Sequence, residues 1–170
     1  TVSFWMKWGG GEQRVAFDFN YYNLYFYNGG FGFNTGSSDV YGISSAPLLN
    51  QWHHVTAVFY SGVNSHSYEK LYIDGVEQSL SHFNSVSNST TNFNNGNFYI
   101  AGGFKSFEGG KIDEFSIWNG QLSVAEIQSL MNCSPSGDEP NLVGYYDFEN
   151  MSSSVCYDQS VNQNHGTYDN

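Results

Sequence analysis

The chain has 170 residues, of which 18% are aromatic and only 12% are Asp, Glu, Lys or Arg, against about 25% charged in an average globular chain. Five basic residues against 16 acidic ones leave a formal net charge of −11, which excludes a nucleic-acid partner, whose phosphates require clustered Lys and Arg, and an anionic membrane surface. So many aromatics can build a core, which excludes disorder, and no apolar run approaches the ~20 residues of a membrane-spanning helix. The length suits one sandwich-sized domain. No signal peptide precedes the strand-like pattern at Thr1, which reads as an excised domain or the mature part of an exported protein.

Alternation with period two dominates the chain. Residues 1–8 place Val2, Phe4, Met6 and Trp8 on one face with Trp5 opposite, and three glycines turn the chain at 9–11. Residues 14–20 alternate Val15, Phe17 and Phe19 against Ala16 and Asp18. In the strand at 21–27, Tyr22, Leu24 and Phe26 share an apolar face predicted to meet the core. Tyr21, Asn23, Tyr25 and Tyr27 share the other, amphipathic face, and the strand turns at Asn28, Gly29 and Gly30. Residues 52–60 are apolar on both faces and read as a central strand. Trp5 and Trp52 are expected in the core. Residues 69–74 turn at Asp74 and Gly75 into 76–80, a second hairpin. The Ser- and Asn-rich stretch 81–97 reads as a long surface loop.

Further strands are expected at 97–101, 111–118 and 142–148. In the second of these, Asp113 falls on the same face as Phe115 and Ile117. Ser123 and Glu126 form a capping box ahead of Ile127, Leu130 and Met131, which predicts one short helix near 123–131. Many short strands joined by Gly and Asn turns imply an all-β sandwich in one domain. Cys133 and Cys156 are too few for a zinc site. They are expected to form a disulfide closing a loop of about 22 residues, worth roughly 3 kcal/mol, with two buried free thiols as the other reading.

The segments TVSFWMK, QWHHVTAVFY, LYIDGV, NFYIAGG and KIDEFSIWNGQLSVAEIQSL follow one another in an order that resembles the bacterial laminin-G-like (concanavalin A-like) domains. The closing LVGYYDFEN and YDQSVNQNHGT resemble that family's strand and Asp-x-Ser-x-x-x-Asn-x-Gly loop, which in many members precede the first of these segments. The resemblance implies a jelly-roll sandwich of two antiparallel sheets. It also leads us to expect that residues 142–167 complete the sheets from the C-terminal end. Such domains are usually secreted or on the cell surface and occur beside degraders of marine algal polysaccharides and in adhesins.

Three chemistries are open to such a chain. The loop at 157–167 offers Asp158, Asn162 and His165, and the resemblance places Asp113 near it, which suggests structural calcium held by these four. Catalysis is not expected. The nearest match to the Glu-x-Asp-x-x-Glu strand of sandwich glucanases is 145–149, where Tyr145 stands in place of the first Glu, and glycoside hydrolysis needs a carboxylate pair. Binding remains: sugars stack on aromatic faces and bond to amides and carboxylates. Tyr21, Asn23, Tyr25 and Tyr27, with His66 and Tyr68, are the candidate groove. Trp8, Phe93, Phe104 and Phe107 are weaker ones. The scarcity of Lys and Arg favours a neutral glycan, unless calcium bridges to an anionic one. The sequence therefore points to a monomeric, non-catalytic carbohydrate-binding module, with an adhesive or spacing module and a cryptic polysaccharide-degrading enzyme as rivals.

Overall fold

A computed structural model describes residues 1–19, 22–35, 40–60, 65–84, 96–103, 105–149, 151–152 and 154–168. In chain order the strands are β1 (Val2–Lys7), β2 (Arg14–Phe19), β3 (Tyr22–Tyr27), β4 (Gly30–Thr35), β5 (Val40–Ser44), β6 (Trp52–Val58), β7 (Lys70–Ile73), β8 (Val76–Glu77), β9 (Ser81–Asn84), β10 (Phe98–Ile100) and β11 (Lys111–Trp118). After the helix α1 (Val124–Leu130) come β12 (Leu142–Tyr146), β13 (Met151–Ser152), β14 (Val155–Cys156) and β15 (Gly166–Thr167). Two six-stranded antiparallel sheets, ordered β12-β11-β1-β6-β7-β8 and β10-β2-β3-β4-β5-β9, pack face to face as the jelly-roll sandwich.

The period-two pattern builds this core. Phe4, Met6 and Trp8 from one sheet meet Phe17, Leu24, Phe26, Phe31 and Phe33 from the other, all at most 7% exposed. Phe4 stacks on Phe115 at 5.2 Å and meets Phe17 edge-on at 5.9 Å. Trp8 stacks on Phe26 at 4.4 Å. Such contacts add about 0.5–1.5 kcal/mol each beyond area burial.

The helix covers the outer face of the first sheet. Its capping box is formed, and Ile127 packs with Leu122 against Val58, Tyr72, Trp118, Leu142 and Tyr145. On the same outer face a buried polar row crosses the strands. Ser3 Oγ lies 3.1 Å from His54 Nε2 and 2.8 Å from Thr56 Oγ1, Ser116 Oγ donates to Ser3 O, and Trp118 Nε1 donates to Ser116 Oγ.

Several expectations are corrected. Ser81–Asn84, read as loop, is a strand paired to β5; residues 85–95 lie outside the described residues. Trp52 is not core but 43% exposed, because it begins β6 on the outer face. Asp113 does not face the core. Glu114 adopts a left-handed φ of 51° and forms a bulge, so Ile112, Phe115 and Ile117 turn inward while Asp113 pairs with Trp5 outside. Of residues 142–167, only β12 joins a large sheet, at the edge beside β11; β13, β14 and β15 pair among themselves in a three-stranded sheet. The expected disulfide is absent. Cys133 is an exposed thiol just past α1, its backbone N–H held by Ser129 O, and Cys156 is a buried thiol in β14.

Candidate functional site

A cleft of about 1990 Å³ is lined by residues of β2, β3, β4, β10 and β12 and of the segment just after β6. That is larger than the 300–1,000 Å³ of small-molecule sites and suits an extended ligand. Its floor is aromatic: Phe17, Phe19, Phe59 and Phe98. Three tyrosines among the lining residues are open to solvent, Tyr60 at 40%, Tyr68 at 56% and Tyr99 at 46%. Tyr60 and Tyr68 have ring centroids 4.5 Å apart. The amides of Asn97, Asn119, Gln121 and Asn164 line the same space.

The tyrosines are positioned by simple rules. Tyr99 sits between Phe98 and Ile100 on β10, so the pleat turns it away from the apolar face. Its hydroxyl accepts from Asn97 Nδ2 at 3.2 Å. Tyr60 lies two residues past the end of β6, and Tyr68, just after the 3₁₀ turn at Ser65–Ser67, packs beside it.

A polar row lies at one height across β2, β3 and β4, where Asp18 pairs with Asn23 and Asn23 with Asn34. Asn34 Nδ2 donates to Asn23 Oδ1 at 3.2 Å, and Asn23 Nδ2 donates to Asp18 Oδ1 at 3.3 Å. All three line the cleft while being 7% exposed or less.

The groove expected from the sequence is only partly assembled. The parity within β3 is as expected: Tyr22, Leu24 and Phe26 are buried toward the core. On the other face, however, Tyr25 is 5% exposed, packed on Val15 and Val40 and stacked on Tyr27 at 5.6 Å. Burial, ahead of the Tyr27 and Glu12 charges, pushes its hydroxyl pKa up. Tyr25 and Tyr27 therefore serve a second apolar cluster. Tyr21 lies outside the described residues, as do Phe93 and Phe104; Trp8 and Phe107 are core. His66 stacks on Tyr41 at 4.5 Å, away from the cleft lining. Asn23 and Tyr68 do line the cleft. Tyr60, Tyr99 and Asp18 were missed as site residues, although the alternation of 97–101 already set Tyr99 apart from its apolar neighbours.

The four residues expected to hold calcium do not form one coordination sphere. Asp158 is 3% exposed, and its carboxylate accepts from Tyr145 N–H, Ser160 N–H, Ser160 Oγ and Asn164 N–H at 2.7–2.8 Å. Asn162 Nδ2 donates to Leu142 O at 2.8 Å, and His165 Nδ1 accepts from Asp158 N–H at 3.2 Å. The loop thus staples itself to the free edge of β12. Asp113 lies elsewhere: burial raises its carboxyl pKa, and the Glu114, Glu149 and Asp147 charges add to the rise against its bond from Glu114 N–H. Among the described residues no cluster of three or more His, Cys, Asp or Glu is disposed to hold a metal ion.

A laminin G family model, described as the concanavalin A-like lectin/glucanases superfamily, matches residues 1–128. No curated protein matches the chain.

Proposed function

Because the chain belongs to the concanavalin A-like lectin/glucanase superfamily, a carbohydrate-binding type of fold, we propose that it is a non-catalytic glycan-binding module of an exported protein, holding a polysaccharide in the β10–β12 cleft. The observation that carries this reading is three solvent-open tyrosines lining one cleft with the amides of Asn97, Asn119, Gln121 and Asn164. Aromatic faces take the C–H surfaces of sugar rings, and amides take the hydroxyls. Among the described lining residues Asp18 is the one carboxylate, which supports binding without hydrolysis, since glycosidases use two.

Affinity electrophoresis through gels loaded with algal, plant and host polysaccharides tests the proposal. We expect retardation by at least one of them. Tyr68→Ala should weaken it about five- to tenfold, as expected for one ring contact, with an unchanged Tm because Tyr68 is exposed. No retardation by any polysaccharide overturns the reading, and release of reducing ends replaces it with a hydrolase.

A further inference from the structure

We propose that Asp18 is the hydroxyl-reading group of the cleft, and that it selects a neutral pyranoside unit presenting adjacent hydroxyls to its carboxylate while a C–H face lies on Tyr99. The inference rests on the glycan-binding reading and names the ligand class for that site.

The amide relay has a direction. Asn34 donates to Asn23 and Asn23 donates to Asp18, so both N–H bonds point toward the acid. Asp18 fixes that orientation: with its amide turned over, Asn23 would set an oxygen against a carboxylate oxygen. The relay therefore ends in an acceptor. An ionised carboxylate accepts at about four lone-pair sites, so it can serve ligand hydroxyls as well as its protein donors. Charge-assisted bonds of this kind are roughly twice as strong as neutral ones.

Two neighbours shape what reaches the acid. Gly103 has φ +92°, and a Cβ there would lie 2.7 Å from both Asp18 Cβ and Asp18 Oδ2. The backbone after β10 thus rests directly on the carboxylate, as only glycine permits. On the other side Tyr99 pairs with Asp18 across β10 and β2, on the same face. Directly paired residues have Cβ atoms about 5 Å apart, so ring and carboxylate sit within the reach of one sugar unit.

The charge settles the ligand class. A carboxylate held as acceptor repels an anionic sugar, and Lys70 is the one Lys or Arg among the described lining residues. The remainder of the chain, at a net −11, adds to the repulsion.

The experiment is a binding panel of neutral β-glucan, mannan and galactan, their O-methylated forms, and the carboxylated polygalacturonate and alginate. We expect the wild-type protein to bind a neutral polymer and to lose it when the hydroxyls are methylated. Asp18→Asn should bind at least tenfold more weakly, and the exposed Trp52→Ala should bind as wild type. Asp18→Asn binding as tightly as wild type, equal binding of the methylated polymer, or preference for a carboxylated polymer overturns the inference. If Asp18→Asn does not fold, Tyr99→Ala and the methylated polymer decide. Binding that Tyr68→Ala weakens and Asp18→Asn leaves intact sinks this inference alone, whereas no binding to any polymer sinks the glycan-binding reading with it.

Discussion

Asp113 stands opposite Trp5 across β11 and β1, on the face of the first sheet that turns away from the core. The left-handed Glu114 puts it there. Its carboxyl is burdened by partial burial and by the nearby Glu114, Glu149 and Asp147 charges, so its pKa is raised. A carboxyl whose folded pKa lies above its unfolded value gives stability at low pH and withdraws it as pH rises through that range. Asp113→Asn keeps an acceptor for Glu114 N–H and removes the repulsion. It should stabilise the protein at neutral pH by a few tenths of a kcal/mol, the scale of partly exposed charge pairs. The gain should vanish below about pH 4. Thermal melts of both proteins across pH check this, and a variant less stable at neutral pH would contradict it.

His54 should govern part of the acid limb of stability. It is 2% exposed, hydrogen-bonded to Ser3 and edge-on to Trp5 at 5.4 Å. Burial lowers its pKa to about 4, against the opposing pull of Asp74. The unfolded chain takes up this proton near pH 6.5 and the folded chain only near 4. Stability should therefore fall by about 3 kcal/mol as pH drops between those values, then level off for this group. His54→Gln should flatten that part of a Tm-against-pH profile. A profile as steep as wild type would rule His54 out.

Removing the Asp158 carboxylate should unfasten the C-terminal loop. Asp158→Ala orphans three backbone N–H groups and a hydroxyl. A buried unsatisfied group costs about 1–3 kcal/mol, so a loss of about 3 kcal/mol or more is expected, a fall in Tm of about 10 °C. Asp158→Asn should fall between the two. Urea melts check the order.

The two thiols should behave independently. Reductant should leave the Tm unchanged, since no bridge joins them. A maleimide reagent should label the exposed Cys133 in the native protein. It should reach Cys156 only on unfolding, because that thiol is buried and burial, ahead of the Asp147 charge, raises its pKa. Mass spectrometry of labelled peptides distinguishes the two.

Much of the fold was legible because a strand writes its burial at period two. Val2, Phe4, Met6 and Trp8, or Leu24 and Phe26, could face only one core, and Ser123 with Glu126 marked the helix start in side-chain chemistry alone. The failures share a cause. The bulge at Glu114 changes parity through one backbone dihedral, and no residue type announces it, since glycine is absent there. Alternation places Tyr25 on the face away from the core, but it cannot say what packs over a face, and Val15 and Val40 do. Tyr60 and Tyr68 become a pair only when the chain returns past the 3₁₀ turn, a contact between segments that local pattern does not encode. Asp158 stands out in the sequence as a candidate calcium ligand, but its carboxylate is occupied by backbone N–H groups, which every sequence carries silently.

The cleft is lined from two stretches of the chain. Phe17, Asp18, Asn23, Tyr68 and Tyr99 lie within the stretch that matches the family, whereas Val143, Tyr146, Asn164 and His165 lie beyond residue 128. The second stretch joins the sandwich through the edge strand β12 and the Asp158 bonds, and it adds Tyr146 and Cys156 to the core. Asn164 and His165 thus reach the cleft through bonds to β12, and loosening the Asp158 bonds should reshape that side of the cleft while leaving Phe17, Asp18 and Tyr99 in place.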